Sequence, residues 1–288
     1  MTWANLTGQV VPEVGSLGQG EREERLNVSE IPDSEAQIRT GVPHSARVWN
    51  YWIGGKDHYP VDQELGDQVI ASYPQMRELA RASRQFQARA VRFLATEAGV
   101  TQFLDVGTGL PVQDSTHEVA QDCVPTARIV YVDNDPLVLA HARALLTTAP
   151  GGMTDYVHAD LLDAEKVLQE ASRTLDLTQP VAVMLLSTLG HVEPEDGIEL
   201  LRRYTAGTVA GSYLVLCDTI ATPQTLAAQE AYAEGDTPPY LVRRPEQILA
   251  SAEGMELVEP GFGSITLWRA TEDSPEPVDQ WGFVARKP

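Results

Sequence analysis

Three aspartates recur at the ends of apolar runs, where a carboxylate does binding chemistry. Asp105 sits inside Phe103-Leu104-Asp105-Val106-Gly107-Thr108-Gly109, Asp133 ends Ile129-Val130-Tyr131-Val132, and Asp160 follows the run from Met153 to Val157 by three residues. A carboxylate at a strand tip can accept hydrogen bonds from a ribose diol, and a glycine turn lets the backbone come close to a nucleoside where a Cβ would hold it off. Gly-x-Gly alone is a common pattern. Its weight comes from the second and third acids, each one strand and one helix further along. A fourth apolar run, Val181 to Leu186, leads into Ser187-Thr188-Leu189-Gly190-His191. Histidine changes charge near neutral pH, so His191 and His58 are the candidates for moving a proton, with His117 in the first loop beside them.

Strands and helices must alternate to bring those acids together. Apolar runs at 103–106, 128–132, 153–157, 181–186 and 212–217 read as strands, and helical segments separate them. Pro136 at a first helical position, with Asp135 as cap before it, starts one such helix. Runs at 257–258, 265–268 and 281–285 read as final strands, the last two pairing antiparallel at a sheet edge. This is an α/β chain with a doubly wound, mostly parallel sheet, which binds ligands at the carboxyl ends of its strands.

Before the sheet, residues 36–100 read as an N-terminal helical lid and 101–288 as a Rossmann-like domain. Trp49, Trp52 and Ile53 have helical spacing, and Gly54-Gly55 ends that helix. The dense polar and aromatic groups around the glycine pair suggest a ligand-facing segment, with Tyr51, Gly55 and Lys56 as cofactor contacts. On the helix spanning 75–98, Met76, Leu79, Ala80, Phe86, Ala90, Phe93 and Leu94 form an apolar stripe. Arg77, Arg81, Arg84, Arg89 and Arg92 read as its solvated face. Residues 1–35 mix Gly, Pro, Glu, Gln and Ser without a period, which predicts a disordered tail.

The 41 acidic residues exceed the 21 basic ones by 20, so neither nucleic acid nor an anionic membrane surface is expected as a partner. Cys123 and Cys217 match no metal spacing, and no metal site is expected. No stretch approaches the ~18 apolar residues of a membrane span. The start of the chain lacks the basic and apolar regions of a secretory signal, so a cytoplasmic location is expected.

The nucleoside can be narrowed. A dinucleotide site wants a third glycine three residues after the second, and Val112 stands there. Asp105 suits an amino-acid tail or the turn's own amides, Asp133 and the neighbouring Asn134 suit ribose hydroxyls, and Asp160 with the Leu161 amide suits adenine. That set fits S-adenosyl-L-methionine better than NAD. Gly107, Thr108, Gly109 and Ser187 complete the candidate cofactor contacts.

From about Thr40 onward the chain resembles an actinobacterial family of S-adenosylmethionine-dependent methyltransferases once known as a domain of unknown function. The resemblance rests on Pro43-His44-Ser45-Ala46-Arg47, Gly54-Gly55-Lys56-Asp57, Leu104-Asp105 with Gly107 and Gly109, Tyr131-Val132-Asp133-Asn134-Asp135-Pro136 and His158-Ala159-Asp160. It implies the class I methyltransferase fold, with a seven-stranded sheet and S-adenosyl-L-methionine as cofactor. The chain departs from the family at His58, usually Asn, and at Leu189-Gly190-His191, usually a Leu-His pair. The expected activity is methyl transfer to a small-molecule acceptor. A non-catalytic S-adenosylmethionine-binding or regulatory module, and an NAD-dependent oxidoreductase, stay open as other readings.

Overall fold

The computed structural model describes residues 39–145, 149–271 and 275–288, and these form one compact unit. The tail expected over residues 1–35 lies outside the described residues.

Three helices come first: α1 (Ser45–Ile53), α2 (Pro60–Ser72) and α3 (Met76–Thr96). Strands and helices then alternate through β1 (Gln102–Val106), α4 (Thr116–Cys123), β2 (Arg128–Asp133), α5 (Pro136–Leu145), β3 (Met153–His158), α6 (Ala164–Ala171), β4 (Ala182–Leu186), α7 (Pro194–Ala206) and β5 (Tyr213–Thr219). After them come α8 (Pro223–Ala233), α9 (Pro245–Leu249), β6 (Glu256–Leu257), β7 (Gly263–Ser264) and β8 (Gln280–Arg286).

The strand order is β3-β2-β1-β4-β5-β8-β6, with β7 also paired to β8. β1 to β5 are parallel, and β8 runs antiparallel to β5, β6 and β7. The order reverses direction between β1 and β4, the point at which open α/β sheets bind their ligands. Seven strands form the continuous path, the number that the family resemblance implies, and the two-residue β7 is an eighth. The predicted strand over 265–268 is absent. Residues 263–264 pair with β8, and the chain then turns, burying Ile265 and Trp268 against α3. The apolar run there was read as strand because a buried turn carries the same residue types.

Alternation along the strands sends neighbouring side chains to opposite faces. Leu104, Val130, Val183 and Leu214 pack with Ala164 and Val167 of α6 and Leu200 and Leu201 of α7. Phe103, Ile129, Met184 and Val215 face Phe86, Ala90, Val91 and Leu94 of α3. The second half of α3 is therefore a layer of the sheet's own core, and a boundary at residue 100 would cut it from the face it covers. α1, α2 and the start of α3 build a separate cluster, in which Trp52, Leu65, Val69, Tyr73 and Leu79 meet Ala228 and Tyr232 of α8.

That cluster is pinned by a buried pair. Asp62 in the first turn of α2 accepts the Tyr59 amide at 2.8 Å, capping its own helix, and the His44 amide at 2.9 Å. Its carboxylate also pairs with Arg47 of α1 at 3.1 Å, both side chains almost wholly out of solvent.

Candidate functional site

β1 ends at Val106, and the chain turns through Gly107, Thr108 and Gly109. Gly107 has φ +74°, and a Cβ there would collide with the Thr188 side chain. Gly109 has φ +68° with open space around it. Both dihedrals favour glycine, and only the first position is also closed by packing. The turn is fixed by β2. Gly107 and Thr108 donate to the Val132 carbonyl at 2.8 and 3.2 Å, and Gly109 donates to Asp133 Oδ2 at 2.9 Å. The other oxygen of Asp133 accepts the Asp135 amide at 2.9 Å, and Asp135 in turn accepts the Leu137 amide, starting α5. Burial is the main influence raising the Asp133 pKa, offset by those two amides and by His44.

The turn opens onto a cavity of about 310 Å³, within the usual range of small-molecule sites. Asp105, Asp133 and Asp160 all line it, as do Gly107, Thr108, Gly109, Asn134, Leu161, Ser187 and His191. The expectation that three strand-end acids share one cavity is met in the geometry.

Of the two partners expected for Asp105, the turn's own amides are not the ones it meets, which leaves the amino-acid tail. Its Oδ2 accepts from Thr116 Oγ1 at 2.6 Å and Gln87 Nε2 at 3.3 Å, and no amide of the turn is its donor among these contacts. Burial pushes its carboxyl up to about 6, against the pull of Thr116 and Arg84. Asp160 Oδ1 accepts the Leu162 amide at 2.9 Å.

Tyr51, Gly55, Lys56 and His58 are placed elsewhere, outside the residues that line the cavity. Gly54 adopts φ +89° and the Gly55 amide reaches back to the Asn50 carbonyl at 2.8 Å, a helix stop. Asn50 Oδ1 then accepts the Asp57 amide at 3.0 Å and lies 3.4 Å from His58 Nδ1. Tyr51 is turned to Arg77, whose Nη2 donates to its hydroxyl at 2.7 Å, and to Asp67. The polar density read there as ligand contacts serves the loop that joins α1 to α2.

Several lining residues escaped the sequence reading. Arg84 was grouped with a solvated face, yet it lines the cavity beside Asp105, and its buried Nε has no hydrogen-bond partner. Its Nη1 donates to Gln87 Oε1 at 2.8 Å. Arg89 likewise turns inward, donating to the carbonyls of Ile265 and Trp268. The available signal was position: Ser83 and Gln87 interrupt the buried stripe of α3, and Arg84 borders it. Trp49, Tyr73, Tyr232 and Tyr240 were missed because they come from elements distant in sequence.

At the other end, β4 leads to Ser187, held at φ +58°. Its hydroxyl lies 3.3 Å from Ser83 Oγ and accepts from Gln280. A single 3-10 turn then places His191, whose Nδ1 lies 2.9 Å from the Pro239 carbonyl. A carbonyl only accepts, so Nδ1 carries the proton and the neutral ring keeps its lone pair on Nε2. The ring packs edge-on to Tyr240, which donates to buried Asp218. Among the described residues no group of three His, Cys, Asp or Glu is placed to hold a metal, and no helix is long and apolar enough to cross a membrane.

The profile of the S-adenosyl methyltransferase family matches residues 32–288. A DUF574 family protein from Streptomyces avermitilis is 40% identical over 86% of this chain and 99% of its own, with a TM-score of 0.83. A proposed methyltransferase from Thermobifida fusca is 36% identical over 85% of this chain and 95% of its own, with a TM-score of 0.81. An O-methyltransferase family protein from Burkholderia thailandensis shares the fold alone, at 15% identity over 78% of this chain and 62% of its own, with a TM-score of 0.50. No curated protein matches the chain. The chain thus belongs to the S-adenosyl methyltransferase family, a class I methyltransferase fold whose cofactor is S-adenosyl-L-methionine.

Proposed function

We propose that this protein transfers the methyl group of S-adenosyl-L-methionine to a small-molecule acceptor held over the ends of β4 and β5, with His191 taking the acceptor's proton. The observation that carries this reading is the juxtaposition of opposite charges, without a direct ion pair, near the end of β1. Arg84, with an unpartnered Nε, stands beside Asp105 at the cavity wall. A cation and a carboxylate side by side suit the zwitterionic tail of an amino acid, and NAD has no such tail. In this reading Arg84 holds the carboxylate and Asp105 the ammonium group. The remaining donor set fits the rest of the cofactor: Asp133 and Asn134 the ribose hydroxyls, Asp160 and Leu161 the adenine edge. Gly107, Thr108 and Gly109 let the backbone lie close to it.

When bound, the sulfonium supplies an already activated methyl group. The protein's task is then alignment and dryness, and good alignment alone contributes about 7–11 kcal/mol in favourable intramolecular systems. Ser187, fixed by Ser83 and Gln280, sets the floor between cofactor and acceptor. His191 is oriented by the Pro239 carbonyl, and burial lowers its pKa, keeping it neutral and ready to accept a proton.

The test is calorimetric binding of S-adenosylhomocysteine and NAD to the purified chain, followed by incubation of S-adenosylmethionine with a metabolite panel and detection of S-adenosylhomocysteine. Binding of the former without NAD, and its formation with a methylated acceptor, supports an enzyme. Tight binding with no acceptor methylated across the panel favours the regulatory-module reading, and stoichiometric NAD binding defeats the proposal.

A further inference from the structure

The cavity has two chemically different ends. Every carboxylate that lines it comes from the end of β1, β2 or β3. The end beneath α1, α2 and α8 is walled by Trp49, Trp52, Tyr73, Met76, Tyr232 and Tyr240. None of the lining residues that α1, α2, α8 and the segment from Pro238 to Val242 contribute carries a formal charge. A charged ligand group placed there would lose its water with no ion to replace it. Aromatic walls instead favour flat apolar rings, through offset and edge-to-face packing.

One polar atom in this wall lacks a partner. Tyr232 is only 6% exposed, and its hydroxyl has no well-formed hydrogen bond, only a loose approach to the Thr237 hydroxyl, which is itself unpaired. Buried hydroxyls in folded proteins are nearly always paired, so an orphan at a cavity wall marks where a ligand's polar group belongs. Two imidazoles line the cavity among the described residues; His44 Nδ1 lies 3.0 Å from Asp135, whereas His191 packs on Tyr240 at this end and keeps Nε2 as a proton acceptor. Imidazole is matched to a phenol, which ionises near pH ~10 as tyrosine does, far better than to an aliphatic alcohol.

Resting on the methyltransferase reading above, we infer that the acceptor is an uncharged, planar aromatic hydroxy compound, seated among Trp49, Trp52 and Tyr240 with a second polar substituent paired to Tyr232. In the transfer, an oxygen lone pair forms the new O–CH3 bond as the S–CH3 bond breaks. Sulfur keeps the bonding pair and becomes a neutral thioether, and the hydroxyl proton passes to His191 Nε2.

The experiment uses the full chain saturated with S-adenosylhomocysteine, titrated calorimetrically with 2,6-dihydroxynaphthalene, 6-hydroxy-2-naphthoate and 6-(aminomethyl)-2-naphthol. The neutral diol is expected to bind at least tenfold more tightly than either charged analogue. Tyr232→Phe is expected to weaken the diol about fivefold and to leave 2-naphthol unchanged, while Trp49→Leu, at a half-buried position, weakens both. With S-adenosylmethionine in place of the product, mass spectrometry is expected to show one methyl on the diol's oxygen. Equal or tighter binding of a charged analogue overturns the inference, as does no naphthol binding to a chain that holds S-adenosylhomocysteine. Failure to hold S-adenosylhomocysteine at all overturns the methyltransferase reading instead, and this one with it.

Discussion

Asp133 Oδ2 accepts the Gly109 amide at 2.9 Å, so the acid at the tip of β2 is the clamp that closes the glycine turn after β1. One carboxylate thus shapes the backbone of the site and remains at the cavity wall to meet a ligand. Asp133→Ala is expected to weaken S-adenosylhomocysteine binding by about 1–3 kcal/mol, through loss of charge-assisted hydrogen bonds. Asp133→Asn keeps one acceptor oxygen and should recover part of the turn's stability but little of the affinity. Calorimetry and denaturant unfolding on the same samples separate the two effects, and an unchanged affinity in the alanine variant sinks the ribose assignment.

The neighbouring glycines should respond differently. Gly107→Ala forces a Cβ onto Thr188 at φ +74° and is expected to destabilise the fold by about 2–4 kcal/mol. Gly109→Ala meets no atom and carries only the dihedral penalty, about 1 kcal/mol. Its larger effect is expected on cofactor affinity. Equal unfolding midpoints for the two variants would contradict this packing.

Arg84→Met tests the amino-acid end of the cofactor. The variant is expected to bind S-adenosylhomocysteine about ten- to hundredfold more weakly, in line with about 1.5–3 kcal/mol for a hydrogen bond to a charged group. 5′-Methylthioadenosine, which lacks the amino-acid group, should bind wild type and variant alike. A parallel loss for both ligands would place Arg84 in structure rather than recognition.

Asp105 gives a pH signature in stability. Its carboxyl is raised to about 6 by burial, so its protonated form suits the fold. The stabilisation it contributes is fully present below its ordinary value of 3.8 and is lost as pH rises through about 6. Asp105→Asn is therefore expected to be more stable than wild type at pH 8, by about 1–3 kcal/mol, with the gap closing towards pH 4. Urea midpoints across that range check it, and a gap independent of pH would refute the assignment.

His191 gives a pH signature in turnover. Burial lowers its pKa first, the Pro239 carbonyl opposes that, and Arg243 and His44 add to the lowering, while the uncharged Tyr240 ring packs against it. A base works when deprotonated, so activity should hold below the ordinary 6.5 and fall only as pH drops through the lowered value. His191→Gln is expected to cut kcat by about 10²–10⁴-fold with cofactor affinity unchanged, and to flatten the acid limb. A variant that keeps the wild-type acid limb removes His191 from that role.

What could be read from the chain depended on how local the cause was. Strand ends were legible because an apolar run followed by Gly-x-Gly or by Asp-Asn-Asp-Pro states both the element and its stop within a few residues. The turn at Ile265 to Trp268 was not, since two buried residues, Ile265 and Trp268, with an exposed Leu267 between them read the same as a short strand. Arg84 was hidden because helical spacing reports which face is apolar, and an inward arginine at that face's margin looks like an outward one.

The sequence by itself determined the parallel sheet, the three acids at its strand ends and the family, because each is written in short stretches whose backbone geometry follows from residue type. The tertiary structure alone decided that the Gly54-Gly55 loop turns away while Arg84 turns in. It also brought Trp49, Tyr73, Tyr232 and Tyr240 into one wall, with the Tyr73 hydroxyl 3.3 Å from Asp279, 206 residues away. Such meetings depend on how helices stack over the sheet, where burial and hydrogen bonding act across the whole fold, so no local pattern encodes them.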